Sequence, residues 1–530
     1  MVSFSQDGPA GHAFPVPALA RDAGTVRMRK HKLLSVLALG GALLAVLGGV
    51  VGCAVNPATG KKELSFVSRS QEIEMGRQGD REILAEFGTY DDSTLAALVD
   101  RVGRRLAAVS EMPNLDWHFR LLNSPVVNAF ALPGGYIYVT RGIVAAVESE
   151  AQLAGIIGHE IGHVTARHTA QRVTQGTLAQ LGLGIGTILV PGLGRYGQEA
   201  STGLALLLLK YGRDDETQAD DLGIRYAVKA GYDPREIPAT YETLKRLGAK
   251  SPYALPGYLS THPDPGDRFD RTTSLAEAAA MADPSAREVG RDEMLAALDE
   301  MIYGKDPREG FVENGVFYHP DLAFEVLFPL DWEILNAASA VMATSPDGNS
   351  AIQLSIVPAS GTKTPDEFVV FGRNEGEIVY AEKWLSNVGG WPAWVGAVQF
   401  QHVARGEPLY AAWVGREEGR YYQFMAVPQD AVTRDAFRQT LWTFRELKDA
   451  EKLARRPDRL RVVRVEGPAR TLAQFAEESG RLAVPIDEVA LLNHMREDSP
   501  VADGQRVKLV WKPEGAPQSG EVKKAETQGE

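Results

Sequence analysis

The sequence predicts a multidomain chain: a mainly α-helical domain with a small edge sheet, then an α+β domain on a larger sheet, then a small α/β unit. Three observations predict it. A length of 530 residues exceeds what one core serves, since domains run to about 100–200 residues and about three are therefore expected. Apolar residues recur at helical spacing up to residue 280 and give way, from 309, to short β-rich runs. Polar stretches at 281–308 and 448–459 separate the blocks. Apolar content of 44% with 24% charged residues is that of a globular protein. The net charge of -13, with no basic stripe beyond the N-terminus, argues against nucleic acid as a partner, because phosphate neutralisation needs clustered Lys and Arg.

The chain opens with a leader, 1–52. Arg27, Arg29, Lys30, His31 and Lys32 precede the apolar run Leu33–Val51; the residues before Met28 are unlike a signal, and Met1 and Met28 stand as alternative starts. Cys53, the single cysteine, follows Val50-Val51-Gly52. This stretch resembles a bacterial lipoprotein signal, which implies cleavage before Cys53, a lipid on that residue and attachment to a membrane through it. The alternative is an uncleaved anchor, since 19 apolar residues can span a bilayer. Ala54 after the cysteine points to the outer membrane under the sorting rule of enteric bacteria. One cysteine leaves no internal disulfide, so packing must stabilise the fold.

Residues 53–280 form the expected helical domain. "DDSTLAALVDRVGRRLAAVS" has a Ser/Thr start and places Leu95, Leu98, Val99, Val102 and Leu106 on one helix face. "WHFRLLNSPVVNAFALPGGYIYVTRGIV" alternates as strands do, with Tyr136 and Tyr138 on one face and Ile137 and Val139 on the other, as in a half-buried strand. The run 181–209 is expected as a flap or a buried helix, because its longest apolar part, "LGLGIGTILVPGLG", has 14 residues and is broken by Gly and Pro. Residues 281–308 form a helical connector whose helix ends at Gly304. Residues 309–447 hold "FYHPDLAFEVLFP", "AIQLSIVPA", "PAWVGAVQFQHV" and "YYQFMAVP", closed by the helical "VTRDAFRQTLWTFRELKD"; the texture resembles PsbP-like modules. After the linker 448–459, residues 460–512 follow the order of LysM-like carbohydrate-binding modules, which implies peptidoglycan as a possible partner. Residues 513–530 are polar and expected to be disordered.

The chemistry is concentrated in "GIIGHEIGHVTARH", residues 155–168. A chance His-Glu-x-x-His is expected only about 0.01 times in a chain of this composition. On a helix His159 and His163 lie about 40° apart around the axis and about 6 Å along it, so both imidazoles reach one tetrahedral zinc. Glu160 projects beside them, free to take a proton from a metal-activated water. Gly158 and Gly162 suit a helix running close under a substrate. A third ligand is best supplied by "RDDETQADDLG", with Glu216 on the metal and Asp220 one turn later accepting from a ligating histidine. Taken alone, that segment reads rather as a solvated acidic helix end, and it is His159 and His163 that turn the balance to a metal site.

His-Glu-x-x-His, followed by Glu-x-x-Ala-Asp and preceded by "NAFALPGGYIYVTRG", resembles the zinc metallopeptidases of the HtpX, BepA, Oma and CAAX-prenyl-protease kind, over roughly residues 70–275. The resemblance implies a gluzincin-like fold and one zinc ion on His159, His163 and Glu216. It further implies Glu160 as general base, Asp220 as the supporting carboxylate, and His262 of Ser260-Thr261-His262-Pro263 close to the metal or the scissile carbonyl. His168 is read as surface or supporting, pointing away from the His159/His163 face; His118, His319, His402 and His494 are read as structural. The tetratricopeptide period of the BepA branch is missing here. The implied activity is zinc-dependent hydrolysis of peptide bonds in unfolded or misassembled proteins of the bacterial cell envelope, on its periplasmic side. The competing expectation is a latent protease that acts as an assembly or binding protein for glycan or outer-membrane proteins.

Overall fold

The computed structural model describes residues 52–183, 206, 210–250, 262, 268–401, 408–427 and 430–513. The expected leader up to residue 51, most of the 181–209 run, Ser260, Thr261, Pro263, His402 and the tail from 514 lie outside these residues. Among the described residues no helix is long and apolar enough to cross a membrane. The described chain starts with a hairpin, β1 (Gly52–Val55) against β2 (Lys62–Ser65), in which Cys53 lies opposite Leu64.

A helical domain with a small sheet follows. Helix α1 (Arg69–Phe87) starts on a capping box in which Ser68 and Gln71 satisfy each other's backbone N–H groups. Helix α2 (Ser93–Ala107) is capped by the Asp92 carboxylate at Leu95 N, and its periodic residues Leu95, Leu98, Val99, Val102 and Leu106 are all buried. Strands β3 (His118–Leu122), β4 (Ala129–Leu132) and β5 (Tyr136–Thr140) form a sheet in the order β3-β5-β4, parallel between β3 and β5 and antiparallel between β4 and β5. β5 is not half-buried as its alternation suggests. All five of its residues are buried, because the strand is central and both faces are covered. Behind the sheet come α3 (Arg141–Ala146) and α4 (Glu150–Thr165), the latter capped by Ser149 at Gln152 N and buried along all 16 residues. Then follow α5 (His168–Leu183), α6 (Arg213–Lys229), α7 (Pro238–Lys250) and α8 (Arg268–Ala282).

A largely β region comes next. The connector's helix, α9 (Arg291–Leu298), stops short of Gly304, and Ile302–Tyr303 extend instead as β6. Strands β7 (Phe311–Glu313), β8 (Val316–His319) and β9 (Phe324–Leu327) make a small antiparallel sheet. A seven-stranded antiparallel sheet then unites β10 (Glu333–Asn336), β11 (Ala340–Thr344), β12 (Ala351–Pro358), β13 (Ile378–Val388), β14 (Trp391–Phe400), β15 (Leu409–Glu417) and β16 (Arg420–Val427) in the order β10-β11-β12-β16-β15-β14-β13. Helix α10 (Pro365–Asn374) packs on β13 and β14. Helix α11 (Ala431–Thr443) ends earlier than its sequence suggests: Phe444 turns into the core and Arg445–Glu446 join β9 as β17.

Residues 458–513 are tied closely to the helical domain. β18 (Asp458–Arg464) pairs with β21 (Arg506–Trp511) on one side and with β6 on the other. Between them lie the short helices α12 (Leu472–Glu478) and α13 (Ile486–Leu492). Leu460, Leu491, Leu492 and Val510 belong to the same apolar core as α2 and α4. Lys508, fully buried, donates from Nζ to the carbonyls of Ala145 (2.9 Å) and Val147 (2.8 Å), while His494 Nε2 lies 2.8 Å from the Ala146 carbonyl. The unit therefore grips the turn that leads into α4.

Candidate metal centre

His159, Glu160 and His163 occupy the C-terminal half of α4, and Glu216 and Asp220 lie on α6. The two helices cross at backbone contact. A Cβ on Gly158 would stand 3.1 Å from the Gly223 carbonyl oxygen, one on Gly162 3.1 Å from that of Ala219, and one on Gly223 2.8 Å from His159 N. The glycines thus serve the approach of α6, not of a substrate. Their helix-propensity cost of about 1 kcal/mol each goes toward bringing Glu216 within reach of the histidines.

One donor atom from each of His159, His163, Glu216 and His262 lies within 4.8 Å of all the others, and all four residues are buried. His159 Nε2 and His163 Nε2 are 3.0 Å apart; Glu216 carboxylate oxygens lie 3.4 and 3.5 Å from them. His262 Nδ1 is 3.3 Å from His159 Nε2 and 3.0 Å from Glu216 Oε1. Four donors around an ion at about 2.0–2.1 Å stand about 3.3 Å apart, so this set suits a tetrahedral cation of that bond length. His262, expected near the metal or the carbonyl, takes the position of a fourth donor.

Glu160 is wholly buried beside this cluster. Neither of its carboxylate oxygens has a hydrogen-bond partner among the described residues, and Oε1 is 3.5 Å from His262 Nε2. Burial raises its pKa above the usual carboxylate range, so it holds and releases a proton more nearly at working pH. Asp220 behaves oppositely. Burial alone would raise it, but Arg268 beside it and the His159 bond hold it well below the ordinary range. Its Oδ1 accepts from His159 Nδ1 (2.9 Å), Tyr241 Oη (3.0 Å) and Arg268 Nη2 (2.6 Å), and its Oδ2 from Arg268 Nε (3.1 Å) and Arg271 Nη2 (2.6 Å). A permanently ionised acceptor at Nδ1 leaves the His159 Nε2 lone pair for the metal.

His168 does not point away. It is buried, with Nδ1 2.8 Å from His163 Nδ1. The helical extrapolation fails because α4 ends at Thr165 and Arg167 takes a positive φ of 59°, which turns the chain back before His168 opens α5. Tyr211 stacks on His163 with ring centroids 3.9 Å apart. No local pattern in the sequence marks Tyr211, Arg268, Arg271 and Tyr241 as part of the centre. An arginine in "GDRFDR" looks like any solvated charge until α8 packs on α6. His118 stacks on Tyr136, and His319 accepts at Nδ1 from Leu322 N, both far from the cluster's chemistry.

The metal-free cluster carries a proton that a cation must expel. Burial pulls the His159 pKa down, but its bonds to Asp220 and Glu216 outweigh this and leave it at about 9. Because the ligand binds metal only when deprotonated, zinc binding at neutral pH should release about one proton, and affinity should rise about tenfold per pH unit until it levels off above pH 9. Calorimetric zinc titrations in buffers of different protonation enthalpy measure this. Uptake without proton release would contradict it.

Residues 93–276 match the model of peptidase family M48. This segment is similar to the peptidase domains of family M48. Among curated proteins, the mitochondrial metalloendopeptidase OMA1 of Arabidopsis thaliana is 34% identical over 249 residues, covering 46% of this chain and 47% of that one. The mitochondrial metalloendopeptidase OMA1 of Schizosaccharomyces pombe is 31% identical, covering 40% of this chain and 63% of that one. The beta-barrel assembly-enhancing protease of Escherichia coli K12 is 29% identical, covering 40% and 45%. The chain thus spans about half the length of the curated relatives it matches. Within the matched segment lie His159, Glu160, His163, Glu216, Asp220 and His262, whereas the largely β region and the C-terminal unit fall outside it.

Proposed function

We propose that this chain is a zinc endopeptidase, with one zinc ion held by His159, His163 and Glu216 and with Glu160 as the proton-transferring group. The observation that carries this is the donor set converging beside a buried carboxylate that has no other hydrogen-bond partner among the described residues. When bound, zinc supplies Lewis acidity toward a water and the scissile carbonyl. Glu160 takes the proton of the attacking water and returns it to the leaving amine. Asp220 keeps His159 oriented, and His262, the fourth donor of the cluster, would have to yield for a water to reach an ion held by the other three.

The proposed substrates are unfolded or misassembled proteins of the bacterial cell envelope. The similarity to beta-barrel assembly-enhancing proteases and the lipoprotein-like Cys53 support this reading, with the enzyme tethered by lipid to the periplasmic side of the outer membrane. The β region is read as a PsbP-like module and the C-terminal unit as LysM-like, with peptidoglycan as its partner. A second reading, a latent protease acting in assembly, is favoured by His262 standing as a fourth donor. Casein degradation by residues 53–530 separates the two. The first reading expects zinc-loaded protein to degrade casein, a chelator to stop it and added zinc to restore it. A zinc-loaded chain that leaves casein and denatured envelope proteins intact supports the second.

A further inference from the structure

We infer that His168 is a positioning residue which, as an acceptor at Nδ1, holds His163 in the tautomer whose Nε2 lone pair faces the metal. The inference rests on the metal reading proposed above. The two Nδ1 atoms are 2.8 Å apart, so one of them carries the shared proton. The far side of His168 decides which. Its Nε2 is 3.0 Å from Gln218 Oε1 and 4.0 Å from Asp215 Oδ1, both oxygens that only accept. His168 Nε2 is therefore the protonated nitrogen, and a neutral imidazole has only one N–H. His168 Nδ1 is left as a lone pair, His163 Nδ1 must donate to it, and His163 Nε2 is bare where it meets Glu216 and His159.

The surroundings keep this chain of bonds in place. His168 is 1% exposed, and Tyr211 lies flat on the His163 ring, its Oη bonded to Thr169 Oγ1 at 3.0 Å, so the ring cannot turn over without breaking a stack. Gln218 sits on α6 between Glu216 and Asp220. One helix thus provides a ligand and both supports: Asp220 reaches His159 Nδ1 directly, and Gln218 reaches His163 Nδ1 through His168. The reverse tautomer would put a proton on His163 Nε2, inside the donor set, and a bare His168 Nε2 against the Asp215 carboxylate.

The test uses residues 53–530 with His168→Leu and His168→Asn. An asparagine amide oxygen can replace the Nδ1 acceptor, whereas leucine cannot. Zinc competition against a fluorescent chelator should show His168→Leu weakened by roughly 10–100-fold and His168→Asn within a few-fold of wild type. Long-range proton–nitrogen NMR spectra of the zinc-free wild type should show His163 protonated at Nδ1 and His168 at Nε2. A folded His168→Leu protein with wild-type zinc affinity, or a spectrum with His168 protonated at Nδ1, would overturn the inference. Should both variants fail to fold, the wild-type spectrum alone decides. A wild type that takes no zinc would overturn the metal reading instead, and the tautomers of the metal-free protein would still decide this one.

Discussion

Glu160→Gln should bind one zinc per chain as tightly as wild type and yet degrade casein about 10²–10⁴-fold more slowly. Glutamine preserves the shape of the side chain, and no ligand is touched, so the metal stays. What is lost is a group able to take a proton. Glu160 is 0% exposed, so bulk water cannot stand in for it. Of the other carboxylates in the cluster, Glu216 belongs to the converging donor set and is held well below the ordinary range although burial opposes this, and Asp220 is occupied by Arg268, Arg271, Tyr241 and His159. Casein turnover and zinc content measured on the same preparation check the expectation. Turnover within about tenfold of wild type would place the base elsewhere, since general acid–base catalysis contributes at least about a hundredfold.

Lys508→Met should destabilise the protein by about 2–4 kcal/mol, read as a lower urea midpoint with an unchanged slope. Methionine fills the same volume, so the loss is that of the donor to the Ala145 and Val147 carbonyls, which stay buried without it. A second readout has a defined sign. Burial pulls the Lys508 pKa from 10.5 to about 8; Glu148 opposes this and Arg291 adds to it. Between about pH 8 and 10.5 the unfolded chain therefore binds the lysine proton more than the folded chain does, and stability rises with pH through that window. The variant should lack this rise. An equal midpoint at neutral pH and parallel pH profiles would show that the C-terminal unit does not depend on this contact. The same lysine bears on function, because the carbonyls it holds lie just before Ser149, the cap of the helix that carries His159 and Glu160.

The parts of the centre legible in the sequence are those set within one helix. His159 and His163 at four-residue spacing, with Glu160 beside them, need only the pitch of α4, and Glu216 with Asp220 need only that of α6. The periodicity of α2 and the change to short strands after residue 309 were legible for the same reason. Where the sequence misled, a neighbour distant in the chain intervened. Tyr136 and Tyr138 alternate like a solvent-facing strand, but β5 is covered on both faces; Arg445 and Glu446 continue a helical pattern, but β9 recruits them into a sheet.

By itself, then, the sequence determined which side chains can bind a metal and move a proton, because helical geometry places neighbours four residues apart on one face whatever surrounds them. Only the tertiary structure decided how those groups are held. Glycines at 158, 162 and 223 let two helices touch, a turn at Arg167 brings His168 back behind His163, Arg268 settles the charge of Asp220, and Lys508 fastens the far end of the chain to the root of α4. Each of these contacts joins residues whose meeting costs chain entropy that no local pattern records, and packing of the whole core supplies it.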